Sequence, residues 1–398
     1  MGKIMVIGCG GTGNAAIYQC CRHSEFFSEV VIADRDLSRC EALKKKLEGT
    51  TDAKIIPVQV DVDDTAVLTE LIREERPEAV LNLTPPCEDL LIMEACLAAG
   101  VHYIDTSAYE PEETAVFEYK WQWEYRDRFE KAGLTALLGC GADPGLTEVF
   151  CAYALKHYFD EINHIDIFEC NTGENGHPFA AGVNPQTGLR RLSLGGAYWK
   201  DGSMIETEPL AISQKYRIPE IGERDMYLIR HEEPESLALH VPGIKRIRFF
   251  KSFSERDIAY LKCLEELGLT SIEPVRYEDQ EIVPLEFLST FLPDPSSLAA
   301  ETRGKVSVGC LLEGKKDGKE KKLYFYSICD HEECYNRLGS QAAAYMSGLP
   351  AMIGTMLVMN GTWKKAGVFN VEEFDPDPFM ELMNKWGLNW KVSENPRL

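Results

Sequence analysis

The chain opens MGKIMVIGCGGTGN, residues 1–14. An apolar run, Ile4 to Ile7, stops at Gly8-Cys9-Gly10-Gly11-Thr12-Gly13, and a helical pattern from Ala15 to Cys21 follows. A G-x-G-x-x-G between strand and helix has a physical reading. Gly8 permits the tight turn, Gly10 lets a pyrophosphate approach the backbone, and Gly13 allows close packing of helix and strand. The N–H groups at the helix start, around Gly11 and Thr12, then face the phosphates. A second apolar strand, Val30 to Ala33, ends in Asp34-Arg35. An acid at that place is expected to take the ribose hydroxyls of a dinucleotide.

Outward from this start, residues 1–145 alternate strands and helices. Helices are expected at Leu37–Leu47, with Ser38 as cap, and at 66–73, 90–99, 117–132 and 148–157; strands at 54–60, 79–83, 101–104 and 134–138. This rhythm predicts a parallel, doubly wound sheet. Ligands of such sheets sit at the carboxyl ends of the strands, here Gly8, Asp34, Asp61, Thr84, Asp105 and Gly139. Asp61 is placed near the adenine, Thr84 and Pro85 near the nicotinamide ribose, and Thr106 beside the cofactor. Beyond about residue 145 the rhythm changes. Strands at 162–170, 246–250, 305–310 and 322–328 predict a mixed sheet, residues 171–205 read as long loops over a ligand, and the helical stretch 340–359 is expected to break at Gly348-Leu349-Pro350. The expected division is a nucleotide domain, 1–145, and a second α+β domain, 146–344.

A chain of 398 residues with 44% hydrophobic and 27% charged residues suits a globular enzyme of two or three domains. A formal net charge of −22 argues against nucleic acid as partner and mildly favours a cationic small molecule. The 13 cysteines are odd in number and contain no C-x-x-C pair, which reads as reduced thiols in a cytoplasmic protein. Cys329, His331 and Cys334 lack a second half-site, so no metal is expected. No apolar run is expected to span a membrane, and no signal peptide is expected before the first strand.

GCGGTGN, NLTPP, YIDTS and GADPGLTEVFCAYA resemble the saccharopine dehydrogenase family. PFAAGVNPQTGLRR, GGAYWKDGSMIETEPL, YLIRHEEPESL, GLPAMIGTML and VFNVEEFDPDPFMELMNKWGL resemble, more narrowly, its carboxynorspermidine (carboxyspermidine) dehydrogenase branch. The resemblance implies a Rossmann domain, a substrate and dimerisation domain, a C-terminal segment from about 345 that returns to the first domain, and a homodimer. It implies NADPH-dependent condensation of L-aspartate β-semialdehyde with 1,3-diaminopropane or putrescine. Such chemistry needs an acid/base for the carbinolamine, a nicotinamide held against the imine carbon, a partner for the α-carboxylate and acids for the distal ammonium.

Arg190, six residues after Asn184, or its neighbour Arg191, is the candidate for the carboxylate. His231, Glu232 and Tyr109 are the catalytic candidates, and Glu233 the candidate for the ammonium; the competing view of 231–233 is an exposed helix turn. Asp143 reads as substrate-binding or as a helix cap, Cys140 as a packed thiol, and Tyr198 with Trp199 as a wall for the diamine or part of the core. Asp34 favours NAD(H), whereas Arg35 and the resemblance favour NADP(H). Two other functions remain: an opine-type enzyme joining an amino acid such as lysine to an oxo acid, and a non-catalytic dinucleotide sensor.

Overall fold

The computed structural model describes residues 2–111, 116–177, 188–189, 195–293 and 295–398. The chain divides into two compact units. One comprises Met1–Pro111, Phe117–His157 and Ala344–Trp390, and the other Glu112–Val116, Tyr158–Ala343 and Lys391–Leu398.

In the first unit the apolar runs form β1 (Gly2–Ile7), β2 (Phe27–Asp34), β3 (Lys54–Gln59), β4 (Ala79–Asn82), β5 (His102–Ile104) and β6 (Thr135–Leu138). Helices α1 (Gly11–Arg22), α2 (Leu37–Leu47), α3 (Thr65–Glu75) and α4 (Asp89–Ala99) connect the first five strands. All pair in parallel, in the order β3-β2-β1-β4-β5-β6, with Gly367–Asn370 added beside β6. The order reverses between β1 and β4, where a doubly wound sheet opens its ligand crevice. Ile4, Met5, Val6, Val30, Val31, Val80 and Leu81 are fully buried, as continuous apolar strands covered on both faces must be. The unit also includes helix Leu146–His157, so it extends past the expected boundary at 145.

Four local expectations are corrected. Asp36, not Ser38, caps α2: its carboxylate accepts the Ser38 N–H at 2.9 Å. Residues 117–132 form two short helices, Lys120–Trp123 and Arg126–Ala132. Helix Ala342–Met359 runs unbroken through Pro350. Its Gly348 lies against the Thr12 carbonyl and Ala15–Ala16 of α1, and such packing outweighs one lost backbone bond. This helix does have the length and mean hydropathy, 1.4, of a membrane span, but 78% of that window is buried in the structure. Finally, the loop region 171–205 contains strand Gly196–Lys200 and most of strand Ser203–Thr207.

The second unit is built on a mixed sheet. Its path runs Ser213–Ile218, Gly222–Leu228, Arg246–Ser252, Glu161–Asn171, Lys305–Lys316, Lys319–Asp330 and Trp390–Glu394. Arg246–Ser252 and Glu161–Asn171 are parallel; the long Lys305–Lys316 and Lys319–Asp330 strands form an antiparallel hairpin. Phe168, Tyr216, Phe250 and Tyr324 cluster in its core. Phe249, on the alternate side of its strand, stacks under the cluster described next.

Candidate active site

At the dinucleotide end, each glycine of the turn does a different job. Gly8 sits at φ +100°, with the Leu83 carbonyl where a Cβ would be. A Cβ on Gly13 would overlap the Gly8 carbonyl oxygen. A Cβ on Gly10 would meet nothing within 4 Å. That open space beside a helix start is the cradle a pyrophosphate needs. No side chain caps α1, so the N–H groups at Gly11, Thr12 and Gly13 keep their donor direction for a ligand. Asn14 holds the turn from below, its Nδ2 donating to the Cys9 and Gly10 carbonyls at 3.0 and 2.9 Å. The residues thus fit a dinucleotide.

Asp34 has a further duty. One carboxylate oxygen accepts the Cys9 N–H at 2.7 Å and the other the Asp36 N–H at 2.9 Å. It pins the turn to the end of the second strand. Arg35 beside it is exposed. Asp61 is exposed too, its Oδ1 taking the Asp63 N–H at 3.3 Å. Cys9 and Cys40 lie buried with their sulfurs 3.5 Å apart. The hydrogen bond between them, with burial, pushes the Cys9 thiol well up, and the same bond draws Cys40 down.

The ends of β4, β5 and β6 share a buried polar network. Asn82 accepts from both the N–H and hydroxyl of Thr84, at 3.0 and 2.7 Å, and donates to Asp89 at 2.8 Å and Tyr103 at 3.1 Å. Gln122 donates to Asp105 at 2.7 Å and accepts the Tyr109 N–H at 3.0 Å. Pro85 leads from Thr84 into the short helix Pro86–Glu88. Thr106 stands beside Gly141. Tyr109 is partly exposed, its ring edge-on to Trp121 at 5.5 Å. Asp143 precedes a cis peptide to Pro144. Glu148 serves the following helix, accepting from the Gly145 N–H and the Thr147 hydroxyl at 2.5 and 2.9 Å. Cys140 is a packed thiol, fully buried and bonded to the Pro350 carbonyl.

In the second unit, His231, Glu232 and Glu233 are brought together, and they are buried rather than an exposed turn. The two glutamates are 1% and 0% exposed. His231 Nδ1 meets Glu233 at 2.5 Å and Glu232 at 2.9 Å, and the ring stacks on Phe249 at 3.7 Å. Burial alone would lower the imidazole, but the charges and hydrogen bonds of Glu233 and Glu232 push it up to about 10. His231 is therefore an imidazolium near neutrality, a proton donor and not a ready base. The three ligand atoms lie within 4.8 Å of one another, a spacing that metal sites also use, and Nδ1 is committed to the carboxylates. The free thiols of Cys329 and Cys334 hydrogen-bond to each other, while His331 turns to Asn171 at 3.1 Å. Tyr198 packs on the core cluster of the sheet, and Trp199 is half-buried beside it in sequence. Asn184, Arg190 and Arg191 lie outside the described residues. Sequence reading missed Asn14, Asn82, Asp89 and Gln122; each is a polar residue inside or next to an apolar run, which is the signal that could have found them.

A doubly wound sheet with this glycine cradle defines a dinucleotide-binding unit. Residues 4–137 match the saccharopine dehydrogenase NADP binding domain and residues 141–388 the saccharopine dehydrogenase C-terminal domain, so the chain belongs to the saccharopine dehydrogenase family, enzymes acting on CH–NH groups. It is 44% identical to a carboxyaminopropylagmatine dehydrogenase of Synechocystis sp. over 98% of this chain and 97% of that one. It is 37% identical to a carboxynorspermidine synthase of Vibrio alginolyticus over the same shares. The fold matches the apo saccharopine dehydrogenase (L-Glu forming) of Saccharomyces cerevisiae with a TM-score of 0.74, at 16% identity and 100% coverage of both chains.

Proposed function

We propose that the enzyme makes a carboxylated polyamine by NADPH-dependent reductive condensation of L-aspartate β-semialdehyde with a cationic amine. What carries the reading is similarity along nearly the whole chain to two relatives whose names describe carboxylated polyamine products. The amine is 1,3-diaminopropane or putrescine on the sequence resemblance, and the name of the 44% relative adds agmatine. A bound reduced nicotinamide would supply the hydride. Tyr109, the most exposed of the acid/base candidates, carries a proton for loss of water from the carbinolamine. His231 and its two glutamates give their unit a local surplus of acid that favours a cation.

The test offers the semialdehyde with each amine in turn and follows dihydronicotinamide consumption. Turnover with one of the three amines supports the reading. Turnover only when lysine is paired with an oxo acid would favour the opine-type alternative, and none with any pair the sensor.

Two further outcomes are expected. NADPH is preferred over NADH, with Arg35 reading the 2′-phosphate; Arg35→Ala should lower the ratio of the two kcat/KM values. An unmoved ratio removes Arg35 from that role. Arg190 is proposed to hold the semialdehyde carboxylate with its planar fork. Arg190→Ala should cost about 1.5–3 kcal/mol, roughly ten- to hundredfold in kcat/KM for the semialdehyde. Arg191→Ala serves as control, and equal losses from both changes would mean a shared role.

A further inference from the structure

Two fully buried carboxyl groups, Asp89 and Asp105, lie in the network under the ends of β4, β5 and β6. Among the described residues neither is paired with a lysine, arginine or histidine. Their neighbours are hydrogen-bond donors. Asp105 takes the Gly139 N–H at 2.7 Å and the Gln122 amide at 2.7 Å, and also bonds the Tyr103 hydroxyl and the Ser107 N–H. Asp89 takes the Asn82 amide at 2.8 Å and, at 3.4 Å, the same Gln122 Nε2 that serves Asp105, and the Tyr103 hydroxyl lies against it too. Gln122 thus bridges the two. Two carboxylates at such a site, without a cation, do not both ionise; the pair keeps a proton. The ionisable groups facing the pair are Tyr103 from β5, Glu88 at the start of α4 and Cys140 after β6. None of them supplies a positive charge.

We propose that Asp89 and Asp105 share a proton and act as positioning residues for the dinucleotide, by fixing the loops that follow β4, β5 and β6. Each loop has a direct tie to the pair or its bridges: Thr84 through Asn82, Tyr109 through Gln122, and Gly139 through Asp105 itself. In a doubly wound sheet these loops receive the nicotinamide half of the cofactor. The donors around Asp105 outnumber those around Asp89, so Asp105 is the member built to carry the charge and Asp89 the one built to keep the proton. Burial pushes Asp105 up to about 7, against the pull of its donors. Protonating it sets an O–H against N–H groups and loosens the loops. Affinity is therefore full above that point and falls as pH falls through it.

The experiment measures the Kd of NADPH on the full chain at pH 6 and pH 8, by dihydronicotinamide fluorescence. If only the ionised Asp105 state binds, a group titrating near 7 weakens binding roughly tenfold between pH 8 and pH 6. Asp105→Asn removes the titrating carboxyl and leaves Asp89 as the neutral partner it already is. The variant should bind NADPH weakly at both pH values, with a pH 6 to pH 8 ratio about tenfold smaller than that of the wild type. The 2′-phosphate titrates alike in both proteins and drops out of the comparison. An unchanged ratio in Asp105→Asn, or a wild-type ratio near one, overturns the proposal. Should Asp105→Asn not fold, Gln122→Met removes the bridge. A folded Gln122→Met protein with wild-type Kd at pH 8 overturns it equally. These readouts need no amine or aldehyde, so they stand apart from the identity of the substrates.

Discussion

Gly10→Val should abolish measurable dinucleotide binding while leaving the fold as stable as before. The backbone at Gly10 is extended, φ −71° and ψ −162°, a conformation valine adopts freely, and a Cβ there meets no protein atom within 4 Å. Stability should move by less than about 0.5 kcal/mol. The space it enters is the approach to the uncapped start of α1. Displacing a phosphate from two charge-assisted donors, each worth about 1.5–3 kcal/mol, weakens binding by roughly a hundredfold or more. Gly13→Ala makes the contrast. Its Cβ collides with the Gly8 carbonyl, so it should destabilise the unit by about 1–3 kcal/mol or more. Urea unfolding and NADPH titration of the two variants separate the effects. A folded Gly10→Val protein with wild-type affinity would refute the phosphate assignment.

Glu233→Gln should cost about 1–3 kcal/mol of stability, because it leaves the buried His231 with Glu232 as its remaining counter-charge. The sign with pH is definite. A histidine raised from about 6.5 to about 10 contributes stability that is full below the lower value and is lost as pH rises toward the upper. The wild-type protein should therefore lose stability across that window, and Glu233→Gln should flatten the loss. Urea midpoints at pH 6, 8 and 9.5 measure both. A Glu233→Gln midpoint within experimental error of wild type at pH 6 would show that the pair does not hold the charged imidazole. The near-zero exposure of Glu232 and Glu233 makes this stability effect larger than any change in amine KM.

The first unit was legible because its signals are local. β1 to α1, with GCGGTG between, can only turn one way, and Asp34 at the end of β2 follows from strand length. The helix break expected at Pro350 failed because tertiary packing of Gly348 on α1 carries more free energy than one missing N–H. Sequence does not separate Asp36 from Ser38 as the cap, because Asp and Ser cap equally well and lie two residues apart. In 231–233 the charges look solvated by composition. Only the neighbouring strand, with Phe249 under the imidazole, shows that they are inside. Asp89 and Gln122 meet across 33 positions, and no periodicity reports a contact of that range. Arg190 lies outside the described residues, and its proposed part in carboxylate recognition rests on residue chemistry alone.

The first unit is closed by the end of the chain. Gly367–Asn370 completes the sheet beside β6, Ala342–Met359 lies against α1, and Trp123 bonds Asn370 across 247 positions. On a ribosome, which emits about 5–20 residues each second, the glycine cradle is made first and its sheet is finished last. Until the closing strand emerges, β6 is an edge with open N–H and carbonyl groups, and α1 shows an apolar side to solvent. A fragment ending at His157 should accordingly aggregate where the whole chain folds, and chaperone dependence should end only once residue 370 has cleared the exit tunnel.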